Sequence, residues 1–379
     1  MERYAEMNIQ TSYSTRTSAG EAVAEIKSGL QTISPKMVMF FASSIYPSEE
    51  TARAMEAAFP GAAVFGCTTA GEIISGQMLH NSIVAMAFNT AVIDDVKVET
   101  LADVHDNAAR AVKQAFTSFE THYGTAMLDA DPAKYVGIVL VDGLSGAEEK
   151  LMEKISDLTD VNFIGASAGD DLKLKSTFIF AHGKAYTNAA VLVLLKPNVP
   201  FHFIKTQSFR IARKTLTPTK VNREKREVLE FNHRPATVAY AEAIGTPVEK
   251  LQDSFMTNPV GLMLGGEMYV RSPQQVKGNS IVFYCAVEKN TDLELLSATD
   301  IVDVTQKALK DELAKVKDIE GLVNFHCILR TLELEKKGET EAYGRLFTNI
   351  PTIGLSCYGE EFNRHINQTS TMLVFASGR

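Results

Sequence analysis

The chain has 379 residues, of which 45 % are hydrophobic and 22 % charged, a composition typical of a globular protein with about two domains. Its net charge of −8, from 38 basic and 46 acidic side chains, lacks the positive character that general nucleic-acid binding requires. The cysteines lie far apart and contain no C-x-x-C pair, which argues against a zinc site, an iron–sulfur cluster or covalently attached c-type haem: Cys67, Cys285, Cys327 and Cys357.

The N-terminal segment and the apolar runs bear on location. The first residues contain no apolar stretch of the kind found in secretory signals. The longest apolar run, Ala189–Leu195, suits a buried strand and is too short to span a membrane. We therefore predict a cytoplasmic protein with reduced thiols and no membrane partner.

The first two-thirds of the sequence alternates helix and strand patterns. Helices are predicted after the capping-box sequence Ser18-x-x-Glu21, after Ser48, after Asp106 and over Ala147–Leu158. Strands are predicted at short apolar runs: Met37–Ala42, Ala62–Gly66, Ser82–Phe88, Val96–Leu101, Tyr135–Val141, Asn162–Gly165, Thr177–Ala181 and Ala189–Leu195. This alternation predicts an α/β domain of layered sheets and helices.

The last third has the pattern of a smaller α+β or α/β domain. Its predicted elements are helices near Ala236–Ala243 and Val304–Val316, and strands at Met268–Arg271, Ser280–Ala286, Leu322–His326 and Thr371–Ala376. A basic, threonine-rich stretch separates the two parts. We predict a flexible tail over residues 1–18, an N-terminal domain over 19–209, a linker over 210–226 and a C-terminal domain over 227–379, with mixed sheets packed by helices.

Small polar loops follow three of the predicted strands. Gly66–Glu72 and Gly165–Asp170 both end in a glycine and an acidic residue, and such loops let a ligand approach the backbone at the carboxyl end of a strand. A tight turn is the simpler interpretation of either loop alone. Cys67 could act as a nucleophile, but the sequence assigns it no histidine or aspartate partner. In the third loop, Ser145 is better explained as a cap of the following helix.

These loops, taken in order with later segments, resemble the FIST proteins. The N-terminal FIST segment is similar to GCTTAGEI (66–73), DGLSGAEE (142–149), GASAGDD (165–171) and FIFAHGKAYTNAAVLVLL (178–195). The C-terminal FIST segment is similar to FNHRPATVAYAEAIG (231–245), NPVGL (258–262), YVRSP (269–273), FHCILRTLELE (325–335) and GLSCYGEEFNRHINQTSTMLVF (354–375). The resemblance implies a ligand-sensing role in signal transduction. A free-standing chain of this length resembles the nitric-oxide-sensing subgroup, which implies haem b as cofactor and a histidine kinase as partner.

Haem-based sensing needs an apolar slot, one axial protein ligand and an open position on the iron. Three of the eight histidines are candidates for the axial ligand. His365 occupies a position where histidine is usual in the family, whereas His326 and His233 stand where the family carries other residues. We rank His365 first as the metal ligand, followed by His326 and His233. A cysteine ligand is an alternative that requires a positive environment to form its thiolate.

Two other functions remain open at this point. A FIST sensor without haem can bind a small polar metabolite such as an amino acid, with Arg271 or Arg330 as a fork for its carboxylate. A cysteine-dependent hydrolase that uses Cys67 is the third interpretation, although we predict a regulatory protein and no enzyme. The residues predicted to line the ligand pocket are Cys67, Thr68, Thr69, Gly71, Glu72, Ser167, Asp170, Arg271, Arg330 and Glu360. A homo-oligomer is compatible with all three functions.

Overall fold

The computed structural model describes residues 8–377. The strands of its first half are β1 Ile9–Ser14, β2 Met37–Ser43, β3 Ala63–Thr69, β4 Glu72–Ile74, β5 Gln77–Leu79, β6 Ile83–Phe88, β7 Ile93–Ala102, β8 Val136–Val141, β9 Phe163–Ser167, β10 Ile179–Ala181, β11 Lys184–Tyr186, β12 Ala189–Pro197 and β13 Phe201–Gln207. Those of its second half are β14 Phe209–Leu216, β15 Pro218–Asn222, β16 Glu227–Phe231, β17 Arg234–Pro235, β18 Val260–Leu264, β19 Glu267–Arg271, β20 Pro273–Lys277, β21 Ser280–Phe283, β22 Leu293–Ala298, β23 Ile319–Cys327, β24 Thr352–Cys357, β25 Gly359–Phe362, β26 His365–Ile366 and β27 Thr369–Ala376.

The helices are α1 Ala19–Gly29, α2 Ser48–Ala58, α3 Val104–Tyr123, α4 Glu148–Ser156, α5 Ala236–Ile244, α6 Ile301–Leu313, α7 Ile328–Lys337 and α8 Thr340–Arg345, with a 3-10 helix at Val248–Ser254. The predicted fold class, mixed sheets packed by helices in two parts, is confirmed. Within the described range, no helix combines the length and apolar composition needed to cross a membrane.

The chain divides into two compact units that are not consecutive in sequence. Unit 1 contains the described residues up to Lys205 together with Thr305–His365 and the segment from Ser370 onward, and unit 2 contains Thr206–Val304 and Ile366–Thr369. Residues after 304 belong largely to unit 1 because β23, β24 and β27 form a sheet with β4 and β5. The predicted domain boundaries at residues 209 and 227 concern the two family segments and stay a prediction. The compact units instead divide the chain after Lys205 and after Val304.

Unit 1 is built from three six-stranded sheets, ordered β1-β6-β2-β3-β10-β11, β26-β25-β9-β8-β12-β7 and β13-β27-β23-β24-β4-β5. Each sheet contains a parallel pair of strands: β2 with β3, β8 with β9 and β23 with β24. One buried apolar cluster joins residues of all three sheets, including Phe41, Ile138 and Phe325. The opposite faces of the first two sheets are covered by helices α1 and α2, and by α3 and α4, respectively. These apolar runs are buried on both faces, as expected for strands between layers.

Unit 2 contains two smaller antiparallel sheets, ordered β14-β22-β18-β19 and β15-β16-β21-β20, with β17 paired to β16. Helix α5 and the 3-10 helix pack on an apolar cluster that includes Phe231, Tyr240 and Leu251. The stretch 210–226, predicted as a linker, contains most of β14 and all of β15. Its basic residues are exposed along these strands, which explains why the composition resembles that of a linker.

Three local predictions need correction. Residues 1–7 of the predicted flexible tail lie outside the described residues, but Ile9–Ser14 form β1, which pairs with β6 and buries Ile9. Ser18 is the N-cap residue of α1, yet its side chain makes no capping hydrogen bond. The loop predicted at Gly66–Glu72 is shorter than expected, because β3 continues to Thr69 and β4 starts at Glu72.

Candidate functional site

The carboxyl ends of β23 and β24 bring together several predicted site residues of unit 1. The two strands are parallel, and their register places His326 beside Ser356 and Cys327 beside Cys357. Helix α7 begins directly after β23, so that Arg330 lies in its first turn. Carboxyl ends of parallel strands and the helix N-termini that follow them are places where ligands commonly bind.

Arg330 is only 1 % exposed and is among the largest fully buried side chains. Its Nη2 donates a hydrogen bond to Thr305 Oγ1 at 3.2 Å. Its Nε and Nη1 have no hydrogen-bond partner among residues 8–377. A buried guanidinium with unpaired donors is unfavourable because the charge has lost its hydration, and the positive end of the α7 dipole adds to that penalty. The position is therefore preorganised for an anion.

His326 lies beside this arginine and is also fully buried. Burial, followed by the positive charge of Arg330, lowers the pKa of His326 well below its ordinary value, so the imidazole is neutral. Its Nδ1 lies 3.0 Å from the Tyr343 hydroxyl, and the two rings are 4.7 Å apart. Its Nε2 has no hydrogen-bond partner in the described part of the chain.

A chain of hydrogen bonds that ends at His326 assigns the ring proton. Ser370 Oγ donates to Asn324 Oδ1 at 2.7 Å, so the Asn324 amide nitrogen donates to the Tyr343 hydroxyl at 3.1 Å. We assign the hydroxyl hydrogen to His326 Nδ1, because this nitrogen is the acceptor that the structure places at the hydroxyl, 3.0 Å away. A neutral imidazole that accepts at Nδ1 carries its hydrogen on Nε2. The unpaired atoms of Arg330 and His326 are therefore all donors.

Buried hydroxyl, thiol and carboxyl groups continue this site along β24 and β25. Thr331 Oγ1 and Ser356 Oγ are 2.7 Å apart. Cys357 Sγ donates to the carbonyl oxygen of His326 at 3.3 Å and lies 3.5 Å from Glu360 Oε1. Burial and the adjacent Glu360 raise the pKa of the Cys357 thiol well above its ordinary value. Cys357 is therefore a protonated thiol, which is a poor nucleophile and a poor iron ligand.

His365, the first-ranked metal ligand, forms a buried ion pair. Its Nδ1 lies 2.8 Å from Glu361 Oε1, which also accepts a hydrogen bond from Ser167 Oγ at 3.1 Å. Burial alone would lower the pKa of His365, but the charge of Glu361 outweighs it and raises the pKa to about 10. A protonated imidazole has no lone pair for iron. Iron would therefore have to displace the proton on Nε2, while a carboxylate on Nδ1 is a partner that metal-binding histidines commonly have.

The predicted pocket residues of the 66–72 segment are satisfied by the fold itself. Glu72 accepts hydrogen bonds from Thr69 Oγ1 and from both the backbone nitrogen and hydroxyl of Ser82. Burial raises the pKa of Glu72 to about 8. Thr68 Oγ1 accepts from the Phe178 nitrogen at 2.9 Å, and burial raises the pKa of Cys67 far above its ordinary value. These side chains shape β3 and its turn and do not form an open pocket.

Gly71 and Asp170 hold turns in place. Gly71 has φ 135°, and a Cβ there would lie 3.2 Å from Ser356 Oγ, so the close approach of its turn to β24 favours glycine. The Asp170 carboxylate accepts hydrogen bonds from the Tyr358 hydroxyl and from the backbone nitrogens of Leu174, Lys175 and Ser176. Burial alone would raise the pKa of Asp170, but these hydrogen bonds lower it below the ordinary value. Asp170 is an ionised turn-forming residue.

Two predicted residues belong to unit 2. Arg271 is nearly buried, and its Nη1 donates to the carbonyl oxygen of Val270 at 3.2 Å. His233 is exposed in a turn with φ 59°, where its backbone nitrogen donates to Thr219 Oγ1. An exposed turn histidine lacks the apolar slot that haem requires.

The sequence interpretation missed Thr305, Asn324, Tyr343 and Ser370. They lie on α6, β23, α8 and β27, and only tertiary packing places them around His326 and Arg330. The alternation of polar Asn324 and His326 with apolar neighbours in an otherwise buried strand was the one available signal, because buried polar residues need partners. Among the residues described, no group of three or more His, Cys, Asp or Glu side chains is arranged to hold a metal ion.

Comparison with protein families finds two matches along the chain. Residues 36–234 match the FIST N domain, and residues 236–363 match the FIST C domain. Comparison with curated proteins finds no relative of the chain. The two matches follow one another and together span most of the sequence. The chain therefore belongs to the FIST family, whose domains are signalling sensors that bind small ligands.

Proposed function

We propose that the protein senses a small metabolite carrying a carboxylate, such as an amino acid, which binds at Arg330 and His326. The observation that carries the proposal is the set of buried, unpaired donors: Nε and Nη1 of Arg330 and the Nε2 hydrogen of His326. The acceptor oxygens of a carboxylate suit these donors, and one edge of the planar guanidinium, formed by Nη2 together with either Nε or Nη1, matches two such oxygens.

The neighbouring hydroxyl pair of Thr331 and Ser356 suits the polar remainder of such a ligand. Hydrogen bonds to a charged group contribute about 1.5–3 kcal/mol each. A carboxylate that satisfies two buried donors thus has enough interaction energy to shift the equilibrium of a sensor. In this proposal the protein acts by binding, without catalysis, and works in the cytoplasm.

The test is isothermal titration calorimetry with a panel of amino acids and dicarboxylic acids, each paired with its amide analogue. We expect at least one acid to bind and its amide to bind at least about tenfold more weakly. Arg330→Met should lose the binding, whereas Arg345→Met should retain it, because Arg345 is 70 % exposed and pairs with Glu341. If no acid binds, or if Arg330→Met binds as well as the unchanged protein, the proposal is wrong.

A second candidate is haem b, bound for nitric oxide detection with His326 as the axial ligand. It is favoured by one observation: His326 is a buried, neutral imidazole whose Nε2 has no partner in the described structure. Of the three predicted histidines it alone is both buried and neutral. Haem would supply the iron that binds nitric oxide, and the proton of His326 would have to move to Nδ1, where the Tyr343 hydroxyl would accept it.

Absorbance spectroscopy separates the two candidates. If haem is the ligand, addition of haem produces a Soret band that shifts with nitric oxide, His326→Gln abolishes it and His365→Gln keeps it. A colourless protein after haem titration excludes this candidate. Either ligand would act through a partner, which we propose to be a histidine kinase. Autophosphorylation of the purified kinase should then change on addition of ligand-loaded protein but not of Arg330→Met with the same acid.

A further inference from the structure

The loop that follows Asp170 exposes two leucines on a strained backbone. Leu172 is 47 % exposed with φ 61°, and Leu174 is 62 % exposed with φ 51°. Residues 172–175 read Leu-Lys-Leu-Lys and are named here the LKLK loop. Leucine disfavours left-handed backbone, and an exposed leucine gains little from burial within its own fold. The loop is held in this conformation by its surroundings.

Two further exposed apolar side chains lie beside the loop. Ile45 follows Ser44, whose hydroxyl accepts a hydrogen bond from Lys173 Nζ at 2.8 Å. Leu144 lines a surface cavity of about 470 Å³ that Lys175 also lines. We name Ile45, Leu144, Leu172 and Leu174 the apolar patch. A basic and apolar surface on a chain of net charge −8 is complementary to an acidic and apolar partner.

The LKLK loop is tied to the strand end that carries the candidate site. Its Leu172 nitrogen donates to the Tyr358 hydroxyl at 3.0 Å, and that hydroxyl also bonds to Asp170. Tyr358 directly follows Cys357, whose Sγ donates to the His326 carbonyl oxygen. Its own backbone nitrogen donates to Ser167 O at 3.1 Å. A shift of β23 at His326 would therefore be passed through Cys357 of β24 to Tyr358, the residue that holds the loop.

From this geometry we infer that the apolar patch and the LKLK loop dock an acidic, apolar segment of a partner protein, and that the contact reports ligand occupancy through Tyr358. The inference rests on the proposed function for the existence of a ligand. A second copy of the chain is a weaker occupant, because two such patches facing each other would bring their lysines together. An anionic membrane is also weaker, because membrane recognition uses clusters of about 4–8 Lys and Arg side chains, whereas the LKLK loop supplies two lysines.

The experiment places a photo-crosslinking amino acid at Leu174 of the full-length protein in its native cells. The same amino acid at Leu128, which is 70 % exposed and far along the chain from the loop, is the matched control. The crosslinked peptide is identified by mass spectrometry, the partner is purified, and its affinity is measured by calorimetry. We expect an acidic, apolar peptide of another protein, crosslinked from position 174 and not from 128.

Affinity should fall at least about tenfold in the double variants Leu172→Asn/Leu174→Asn and Lys173→Glu/Lys175→Glu, and stay unchanged in Leu128→Asn. Crosslinks to a second copy, to lipid, or at the level of the control overturn the inference, as does a partner that binds all variants equally. Carboxylate binding to the loop variants, measured separately, should equal that of the unchanged protein. Loss of docking with intact carboxylate binding thus distinguishes this inference from the proposed function.

Discussion

Replacing Arg330 by methionine should make the ligand-free protein more stable while removing its ability to bind the ligand. Methionine keeps an unbranched, flexible apolar chain and carries no charge. The change deletes one hydrogen bond, from Nη2 to Thr305 Oγ1, but it also removes two buried donors that have no partner. The site is thus expected to exchange stability for function, as binding sites commonly do.

The magnitude follows from these two contributions. The lost hydrogen bond to a charged group is worth about 1.5–3 kcal/mol, whereas the desolvation penalty of an uncompensated buried charge is several kcal/mol. Replacing buried charges by apolar residues stabilises other proteins by about 1–4 kcal/mol. We expect a net gain of about 1–3 kcal/mol, or a rise in Tm of about 2–6 °C for a unit of this size. A bound acid at 100 times its Kd would add about 2.7 kcal/mol to the unchanged protein alone.

The free energy of unfolding and the Tm are measured by urea unfolding and thermal scans. They are compared for the unchanged protein and for Arg330→Met, each with and without the acid identified by calorimetry. Arg345→Met serves as the control, since an exposed ion pair contributes less than about 1 kcal/mol. If ligand-free Arg330→Met is less stable by more than about 1 kcal/mol while the control is unchanged, the guanidinium is satisfied in the ligand-free state. The case for an anion at this position would then fail.

Three other predictions test the surrounding structure. A Cβ at position 359 would lie 2.2 Å from His365 Cε1, so Gly359→Ala should lower the free energy of unfolding by about 1–3 kcal/mol or more. The control Gly20→Ala should not lower it, because its Cβ meets nothing closer than 3.9 Å. Equal stability of the two variants in urea would contradict the packing at Gly359. The pKa of His365 is raised from 6.5 to about 10 on folding, so the stabilisation by its ion pair is fully present below pH 6.5 and disappears as the pH rises through 10. In His365→Gln the urea midpoint should therefore decline less steeply over this pH range. The same decline of the midpoint with pH in both proteins would count against the ion pair. Nitrogen-15 NMR should find the ring hydrogen of His326 on Nε2, and Tyr343→Phe, which removes the hydroxyl at Nδ1, should shift the ratio of the two tautomers. A hydrogen on Nδ1 in the unchanged protein would refute the assigned hydrogen-bond chain.

The spacing of apolar residues along the sequence was enough to locate many helices and strands, because it follows from the repeat of each element. Apolar runs such as Met37–Ala42 and Ala189–Leu195 predicted buried strands, and both are confirmed with bounds within two residues. Helical spacing likewise predicted α3 and α4. In unit 2 the predicted strands at Met268–Arg271 and Ser280–Ala286 correspond to β19 and β21, but β14 and β15 were missed, since a basic surface strand has the composition of a linker.

The site shows the limit of such reasoning. Arg330 was predicted as a carboxylate fork from its residue type, but whether its donors are satisfied depends on Thr305, which is 25 residues away in sequence. The preference for His365 over His326 as a metal ligand stays a prediction. The ion pair of His365 with Glu361 became visible only in the structure, because no sequence pattern reveals the charge state of a buried histidine.

The sequence by itself determined the family, the α/β character and the identity of the polar residues at the strand ends. Those features are carried by local periodicity and by ordered motifs, which survive without three-dimensional information. Only the tertiary structure decided which of these residues have all their hydrogen bonds satisfied and which keep unpaired donors. Hydrogen bonding and desolvation depend on neighbours that are distant in sequence, so the unpaired donors of Arg330 and His326 became visible only once β23, β24 and α6 were packed together.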